Sequence, residues 1–160
     1  MINMERNGDV VTMASYAPLL CHTHDRRWPV NLICFEDDVV FGIPSYHVQK
    51  LFAEVRPVSI VETSCAAPSF TGEAKVDAVG GLDANGDLIV KISNFSKDPT
   101  NAVVTAEGYE PFELLGVFAE SPLDENSIDE PEKVKAVDLP AETDFIMRPY
   151  GVYALRMRKA

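Results

Sequence analysis

The sequence predicts a mainly β protein, an antiparallel β-sandwich preceded by a short α/β segment. Three observations lead to this prediction. Residues 42–55 show clear helical periodicity, and Pro57 ends that helix because it disfavours helical backbone at Arg56. Before the helix, Val10 to Leu20 is a nearly continuous apolar run, typical of a strand buried on both faces of a parallel sheet. After it, apolar residues alternate with a period of two between turns, as in antiparallel strands.

The chain is therefore divided into an α/β segment, residues 1–56, and a sandwich, residues 57–160. In the first segment Met1 to Asp9 is typical of the last turns of a helix that Gly8 terminates. The strand expected at Val10 to Leu20 is followed by a polar loop, residues 21–29, and a short apolar piece, Leu32 to Phe35. A single strand–helix unit of this kind cannot close a sheet or a barrel by itself.

The helix of residues 42–55 is predicted from one apolar stripe. Val48, Leu51, Phe52 and Val55 are spaced i, i+3, i+4 and i+7, which places them on one face. Pro44 suits the first turn, where its missing N–H costs nothing. We expect this face to be covered by other parts of the structure.

Seven or eight short strands are expected after Pro57, which is typical of an antiparallel sandwich. Asn85-Gly86 is a strong hairpin signal, and Gly108 and Pro111 are placed in a later turn. The predicted strands are Val58–Thr63, Lys75–Val79, Leu88–Ser93, Ala102–Ala106, Phe112–Ala119, Val134–Val137, Phe145–Met147 and Tyr153–Arg158.

Composition narrows the class of protein. With 46% hydrophobic residues the chain can bury a core, and no apolar run reaches the length of a membrane span. A net charge of −11 argues against binding to nucleic acid, because phosphates would be repelled. Cys21, Cys34 and Cys65 are few, widely spaced and without a paired motif, which indicates a reducing compartment. We expect a soluble, cytoplasmic protein without a cofactor.

The polar loop contains the best candidates for binding. A loop after a parallel strand lies at the strand's carboxyl end, where α/β folds place ligands. Trp28 offers an indole face for a sugar ring, and guanidinium groups such as that of Arg27 bind hydroxyls. The alternative is structural: Trp28 packs over the helix and Arg27 pairs with Glu36 or Asp38. The sequence leaves both open.

Other constellations favour ordinary roles. His22, His24 and Cys21 could bind a metal, but structural zinc usually needs a second pair of ligands at recognisable spacing. Cys34 and Cys65 lie in apolar strand contexts, where cysteine is usually inert. The acidic runs at residues 36–38 and 124–132 indicate solvated surface rather than the paired carboxylates of glycoside hydrolysis. The triplet Asn94-Phe95-Ser96 fits a glycosylation acceptor but is common by chance.

A series of collinear motifs closely resembles the α-L-arabinofuranosidases of glycoside hydrolase family 51. The motifs are Met4-Glu5-Arg6-Asn7, Asp9-Val10-Val11, Met13 to Leu19, Asp25-Arg26-Arg27-Trp28, Pro44-Ser45-Tyr46, Val48 to Phe52, Asp124 to Ser127, Pro131 and Lys133-Val134. The resemblance implies a chain similar to the last βα unit of a (β/α)8 barrel, followed by a C-terminal sandwich of jelly-roll type. In that family the two catalytic glutamates lie on earlier barrel strands, so no catalytic residue is expected here.

For the site, the resemblance implies sugar contacts by His24, Asp25, Arg27 and Trp28. The chain departs from the family pattern at His22 and His24, where similar proteins usually have asparagine. An imidazole can still hydrogen-bond a hydroxyl, although its charge changes near neutral pH. No metal is expected at this loop.

The resemblance implies the C-terminal region of a hydrolase that releases arabinofuranosyl residues from arabinose-containing oligo- and polysaccharides, inactive by itself. The alternative is a stand-alone sandwich, structural or carbohydrate-binding, though one tryptophan outside the sandwich is few aromatics for a binding module. The apolar face of residues 10–55 is expected to fold back on the sandwich, to self-associate, or to meet a missing barrel portion.

Overall fold

A computed structural model describes residues 1–28, 30–66 and 76–160. Two α-helices, α1 (Ile2–Arg6) and α2 (Pro44–Glu54), and a short 3-10 helix (Thr23–Asp25) lie in the first third of the chain. The strands of the described residues are β1 (Leu20–His22), β2 (Ile33–Glu36), β3 (Val39–Gly42), β4 (Ser59–Val61), β5 (Val76–Leu82), β6 (Leu88–Asn94), β7 (Thr100–Val103), β8 (Tyr109–Val117), β9 (Ala136–Leu139), β10 (Asp144–Met147) and β11 (Val152–Lys159). No helix in the described ranges is long and apolar enough to cross a bilayer.

The strands form three sheets. The largest is antiparallel, with six strands in the order β4-β5-β6-β11-β8-β9. β7 and β10 pair in a second antiparallel sheet, and β1-β2-β3 form a third in which β1 and β2 are parallel. The mainly β, antiparallel class predicted from the sequence is confirmed. The jelly-roll type of sandwich and the boundary at residue 56 stay predictions.

One face of the six-stranded sheet packs against the β7–β10 sheet to form the main core. Alternate residues of β6 and β11 point into it, as period-two strands require. The buried members of this core are Ala78, Leu88, Val90, Ile92, Ala102, Leu114, Met147, Tyr153, Leu155 and Met157. Their alternation along β6 and β11 is the pattern that the sequence predicts.

The opposite face of the same sheet is covered by the two helices. Leu51 of α2 and Val55, its C-cap residue, pack with residues of the sheet such as Ile89 and Ala154. Phe52 packs with Ile2 and Val79. The apolar stripe predicted for this helix is therefore confirmed, and it folds back on the sandwich. Pro44 lies in the first turn of α2, also as predicted.

The N-terminal run does not form the buried strand expected at Val10 to Leu20. Only Leu20 belongs to a strand, and Val10 and Met13 are 73% and 87% exposed. A strand is buried on both faces only when neighbours flank it and helices cover it. Here β1 is an edge strand that pairs with β2, so the apolar residues that precede it, 10–19, lie on the surface.

Two smaller differences have local causes. Pro111 lies inside β8, not in the turn with Gly108, opposite Met157 where the ladder with β11 shifts register. Proline lacks an N–H, and such an irregularity tolerates it. α1 ends at Arg6, with Asn7 as its C-cap and Gly8 in the turn that follows. Of the strand predicted at Lys75–Val79, Lys75 lies outside the described residues.

The β5–β6 hairpin has the turn that its sequence predicts. Gly86 has a φ of 84°, a left-handed conformation that glycine adopts without strain. The Asp83 carboxylate accepts hydrogen bonds from the backbone N–H groups of Asn85 (2.8 Å) and Asp87 (3.0 Å). This side chain thus fixes the turn, and through it the register of β5 with β6.

His47 of α2 makes the stability of the fold depend on pH. Its Nε2 is buried without a hydrogen-bond partner, and burial, with Lys50 nearby, lowers the pKa of the imidazole. The unfolded chain therefore binds a proton more readily than the folded chain. As the pH falls below about 6.5, the ordinary value for histidine, we expect the free energy of unfolding to decrease.

Urea unfolding at about pH 7.5 and about pH 5.5 measures this effect. Carboxylates with ordinary pKa values stay ionised at both pH values and therefore contribute little to the difference. In the variant His47→Gln, the free energy of unfolding should differ less between the two pH values than it does in the wild type. An unchanged difference would show that other groups cause the pH dependence. Glu132 and Lys135 also face His47 and remain in the variant.

Candidate functional site

The predicted binding loop follows the carboxyl end of β1. β1 and β2 are parallel and in register, with His22 opposite Phe35. The chain leaves β1 in the 3-10 helix, at the carboxyl end of the strand, and residues 23–32 then cross back to the opposite edge of the sheet, where β2 begins at Ile33. This placement is the one that the sequence predicts for the loop, although β1 is short and not fully buried.

Glu36, at the end of β2, holds the first part of the loop. The hydroxyl of Thr23 donates to Oε2 of Glu36, and Nε2 of His24 lies 2.9 Å from Oε1. The hydrogen bond from Thr23, and then the contact with His24, lowers the pKa of the Glu36 carboxyl. The carboxylate therefore anchors the 3-10 helix to the neighbouring strand.

Asp25, Arg27 and Trp28 extend from the loop into solvent. Nε of Arg27 lies 3.9 Å from Oδ1 of Asp25, and both side chains are about four-fifths exposed or more, at 86% and 79%. Trp28 is 66% exposed, and its carbonyl accepts a 2.6 Å hydrogen bond from the buried Asn31 amide. Carboxylate, guanidinium and indole thus lie together on one short surface segment.

The structural alternative for this loop is not found. Trp28 is exposed instead of packed over the helix, and Arg27 pairs with Asp25 instead of Glu36 or Asp38. The loop backbone is fixed by Asn31, whereas the three side chains beyond it are free to meet a ligand. Exposed polar and aromatic groups on a fixed backbone are suited to recognition of a hydroxyl-rich molecule.

The metal alternative has no support in the described part of the chain. There, no three side chains of histidine, cysteine, aspartate or glutamate are grouped to bind an ion. Nδ1 of His22 accepts a 3.3 Å hydrogen bond from the N–H of His24, and the His22 ring lies edge-on to Phe35. The thiol of Cys21 contacts Cys34 instead of either histidine.

Sequence reasoning missed Glu36 as a member of this site. It assigned residues 36–38 to solvated surface, which is correct for Asp37 and Asp38 but not for Glu36, whose side chain is 23% exposed. Asp37 and Asp38 form the tight β2–β3 turn, and Asp37 has a φ of 49°. Asp37-Asp38 is the signal that could have located Glu36: a turn at these two residues makes Glu36 the last residue of the preceding strand, beside the loop.

Asn94 is a structural residue. It is 1% exposed, and its amide donates to the carbonyls of Asp98 (2.9 Å) and Arg148 (3.1 Å). Its Oδ1 accepts from the N–H and hydroxyl of Ser96. A side chain enclosed in this way is not accessible as a glycosylation acceptor, so the triplet is a chance match.

Comparison with known families identifies the chain. The family model described as the α-L-arabinofuranosidase C-terminal domain matches residues 1–145. The chain belongs to this family. The match spans both the α/β segment and most of the sandwich, and it confirms the resemblance found in the sequence motifs.

Curated relatives in this family are longer proteins. Alpha-L-arabinofuranosidase 1 of Arabidopsis thaliana is 34% identical over 142 residues, which cover 84% of this chain and 21% of the relative. Alpha-L-arabinofuranosidase A of Aspergillus niger is 33% identical over 110 residues, 68% of this chain and 17% of the relative. The chain thus spans about a fifth of the length of the relatives it matches.

Solved structures share the fold. An arabinose-bound MgGH51 α-L-arabinofuranosidase superposes with a TM-score of 0.81 at 22% identity, covering 100% of this chain and 26% of the other. The arabinose complex of the Thermotoga maritima α-L-arabinofuranosidase gives 0.80 at 15% identity, covering 99% and 36%. Family members of known structure therefore contain the arrangement of helices and sheets described above.

Proposed function

We propose that this chain is the C-terminal region of an α-L-arabinofuranosidase-like glycoside hydrolase, which releases arabinofuranosyl residues from arabinose-containing oligo- and polysaccharides. The main support for the proposal is the family match over residues 1–145, together with the curated relatives, which are named α-L-arabinofuranosidases. The complete enzyme would use a retaining mechanism with two carboxylates. Neither carboxylate is supplied by this chain, so the chain alone is inactive.

In the complete enzyme, the loop at the end of β1 contacts the sugar. The carboxylate of Asp25 accepts hydrogen bonds from hydroxyls and Arg27 donates to them, whereas His24 meets a hydroxyl through Nδ1, because its Nε2 is held by Glu36. Trp28 provides an apolar ring face for the C–H face of the sugar. The exposure of Asp25, Arg27 and Trp28 leaves these groups available.

The remaining part of the enzyme covers the apolar surface of residues 1–60. The exposed apolar side chains there include Met4, Val10, Val11, Met13, Leu19, Leu20, Val58 and Ile60. An open groove of about 1370 Å³ runs between α1, the segment after it, α2 and β4. Met4, Val11, Met13, Val58 and Ile60 line this groove. Exposed apolar surface gathered in a groove marks an interaction site, and self-association of the chain is the alternative to the rest of the enzyme.

The first test is an assay of the purified chain with an aryl α-L-arabinofuranoside, with sugar binding followed by calorimetry. We expect no turnover, because the reaction needs two correctly spaced carboxylates. Turnover by the chain, with a contaminating enzyme excluded, would contradict the proposal. Binding of arabino-oligosaccharide without turnover would favour the stand-alone binding module.

The second test asks whether the loop contacts the substrate in a complete enzyme. This chain replaces the matched fifth of the Arabidopsis relative, and the chimera is assayed as wild type, Arg27→Ala and Trp28→Ala. A lost hydrogen bond to a charged group should lower kcat/KM about tenfold or more for Arg27→Ala. The matched control is Phe95→Ala, which removes an aromatic ring that is 54% exposed on the sandwich.

The two tests separate the two claims. An active chimera that is unaffected by Arg27→Ala and Trp28→Ala would contradict the role of the loop but leave the assignment to the enzyme intact. An inactive chimera that folds would contradict the assignment.

A further inference from the structure

The pairing of β1 with β2 brings two thiols together. Cys21 and Cys34 are partners in the parallel register, so their side chains point to the same face of the sheet. Neighbouring strands are spaced about 4.7–4.9 Å apart, within the Cα–Cα range of about 4.4–6.8 Å that a disulfide requires. The two sulfur atoms are 3.1 Å apart. A shift of about 1 Å would bring them to the length of a disulfide bond.

The two thiols are buried in one apolar cluster, whereas the third cysteine is exposed. Cys34 is 1% exposed and Cys21 is 8% exposed, and both are packed with Leu32, Phe41 and Ile43. Cys65, the third cysteine of the chain, is exposed and belongs to neither strand. Burial, together with the hydrogen bond to Cys21, raises the pKa of Cys34 to about 11. Cys34 therefore stays protonated near neutral pH, which makes it the resolving thiol and not the first to attack.

We propose that Cys21 and Cys34 form a redox-active dithiol that closes to a disulfide in the presence of a low-molecular-weight disulfide such as oxidised glutathione. The thiolate of Cys21, the more exposed of the two, attacks one glutathione sulfur, and the other glutathione leaves as a thiolate and takes up a proton. Cys34 then loses its proton and attacks the Cys21 sulfur, which releases the second glutathione. Two protein thiols are oxidised and one small disulfide is reduced to two thiols.

The disulfide would close a ring that contains the whole loop. Residues 22–33 lie between the two cysteines, including His24, Asp25, Arg27 and Trp28. Oxidation therefore links β1 and β2 covalently on either side of the loop, whereas in a reducing compartment only the ladder and the apolar packing hold the two strands together. The thiol chemistry itself does not rest on the proposed function.

The chain offers a direct readout. Trypsin cuts after Arg6, Arg26, Arg27, Lys50 and Lys75 and is blocked at Arg56-Pro57, which places Cys21, Cys34 and Cys65 in three different peptides. The purified chain is equilibrated with oxidised and reduced glutathione, alkylated and digested. We expect a disulfide-linked pair of peptides 7–26 and 28–50, with Cys65 alkylated or carrying glutathione.

The same equilibration in urea shows what the fold contributes. A disulfide closing a ring of this length stabilises the native state by a factor of about 100 or more. By thermodynamic linkage, the equilibrium constant for forming the Cys21–Cys34 disulfide should be larger in the native chain than in the unfolded chain by that same factor. Equal pairing in buffer and urea, or linkage only through Cys65, would overturn the proposal.

Two variants make the result independent of folding defects. Cys65→Ser removes the exposed thiol and should leave the linked peptide pair unchanged. Cys34→Ser should abolish the linkage while its Cys21 becomes glutathionylated, and its circular dichroism reports whether the chain is still folded. A linked pair that disappears in Cys65→Ser would show that Cys65 is the true partner, contrary to the proposal.

Discussion

Replacing Glu5 by alanine should lower the free energy of unfolding by about 3 kcal/mol, because it leaves the charge of Lys91 buried and unpaired. The Lys91 side chain is completely buried in β6, its ammonium pairs with Glu5, and it also donates to the carbonyl of Phe52 at 3.2 Å. The ammonium lies 4.2 Å from the Phe52 ring centroid. Burial lowers the pKa of Lys91, and the contact with Glu5 opposes that change. Urea denaturation measures the loss.

The matched control is Glu54→Ala, which breaks the exposed i,i+4 pair with Lys50 (3.7 Å) and should cost only about 0.3–0.5 kcal/mol. The double variant Glu5→Leu/Lys91→Met replaces the buried pair by apolar groups and should lie within about 1 kcal/mol of the wild type. If Glu5→Ala and Glu54→Ala lowered the free energy of unfolding equally, Glu5 would not be the residue that stabilises the buried charge of Lys91.

This pair also explains why α1 is present. A helix of five residues is not stable alone, so its stability comes from docking. Ile2 is buried against Phe52 and Val79, and Arg6 donates to Asp77 and to the carbonyl of Ala78 (2.7 Å). Glu5, Arg6 and Ile2 together fasten the N-terminus to the helix-covered face of the six-stranded sheet.

A second large effect is expected at Asn126, where Asn126→Ala should cost about 3 kcal/mol. The amide is 3% exposed and donates to the carbonyls of Gly42 (2.7 Å) and Val134 (2.9 Å), and its Oδ1 accepts from the N–H of Val134 (2.7 Å). Gly42 and Val134 are themselves buried, so the substitution leaves backbone groups unpaired away from water. Thermal or urea unfolding measures the change.

Ser127→Ala is the control in the same loop. It removes one exposed hydrogen bond, from the N–H of Glu130 to the serine hydroxyl at 3.1 Å, and should cost about 0.5–1 kcal/mol. Asn126→Asp keeps the acceptor oxygen but places a carboxylate against the carbonyls of Gly42 and Val134, which repel it. We therefore expect its loss in free energy of unfolding to become smaller at acid pH, where the carboxyl is protonated. A defect independent of pH would contradict this account of the loop.

Asn126 ties the two predicted parts of the chain together. It lies in the loop between β8 and β9, and its partner Gly42 ends β3. The acidic loop is thus held against the strand that leads into α2, a contact between residues that are far apart in sequence. In the sequence, this asparagine stands out only as part of a family motif.

The sequence by itself determined those elements whose cause is local. The stripe of Leu51, Phe52 and Val55 defined α2 and its buried face, because the helical period aligns residues three and four apart. Asn85-Gly86 defined the central hairpin, because glycine adopts the required left-handed backbone. The alternation along β6 and β11 defined the sandwich core, and the collinear motifs led to the family.

Tertiary structure alone decided which surfaces are covered and which distant side chains meet. Val10 to Leu20 looks like a buried strand, but burial depends on neighbours, and here the run is mostly exposed. Lys91 follows the alternation of β6, yet only the docked α1 explains how a buried ammonium is neutralised. The pairing of Cys21 with Cys34 and of Glu36 with His24 likewise depends on strand register. Such contacts depend on chain segments that pack together, and local periodicity carries no information about that packing.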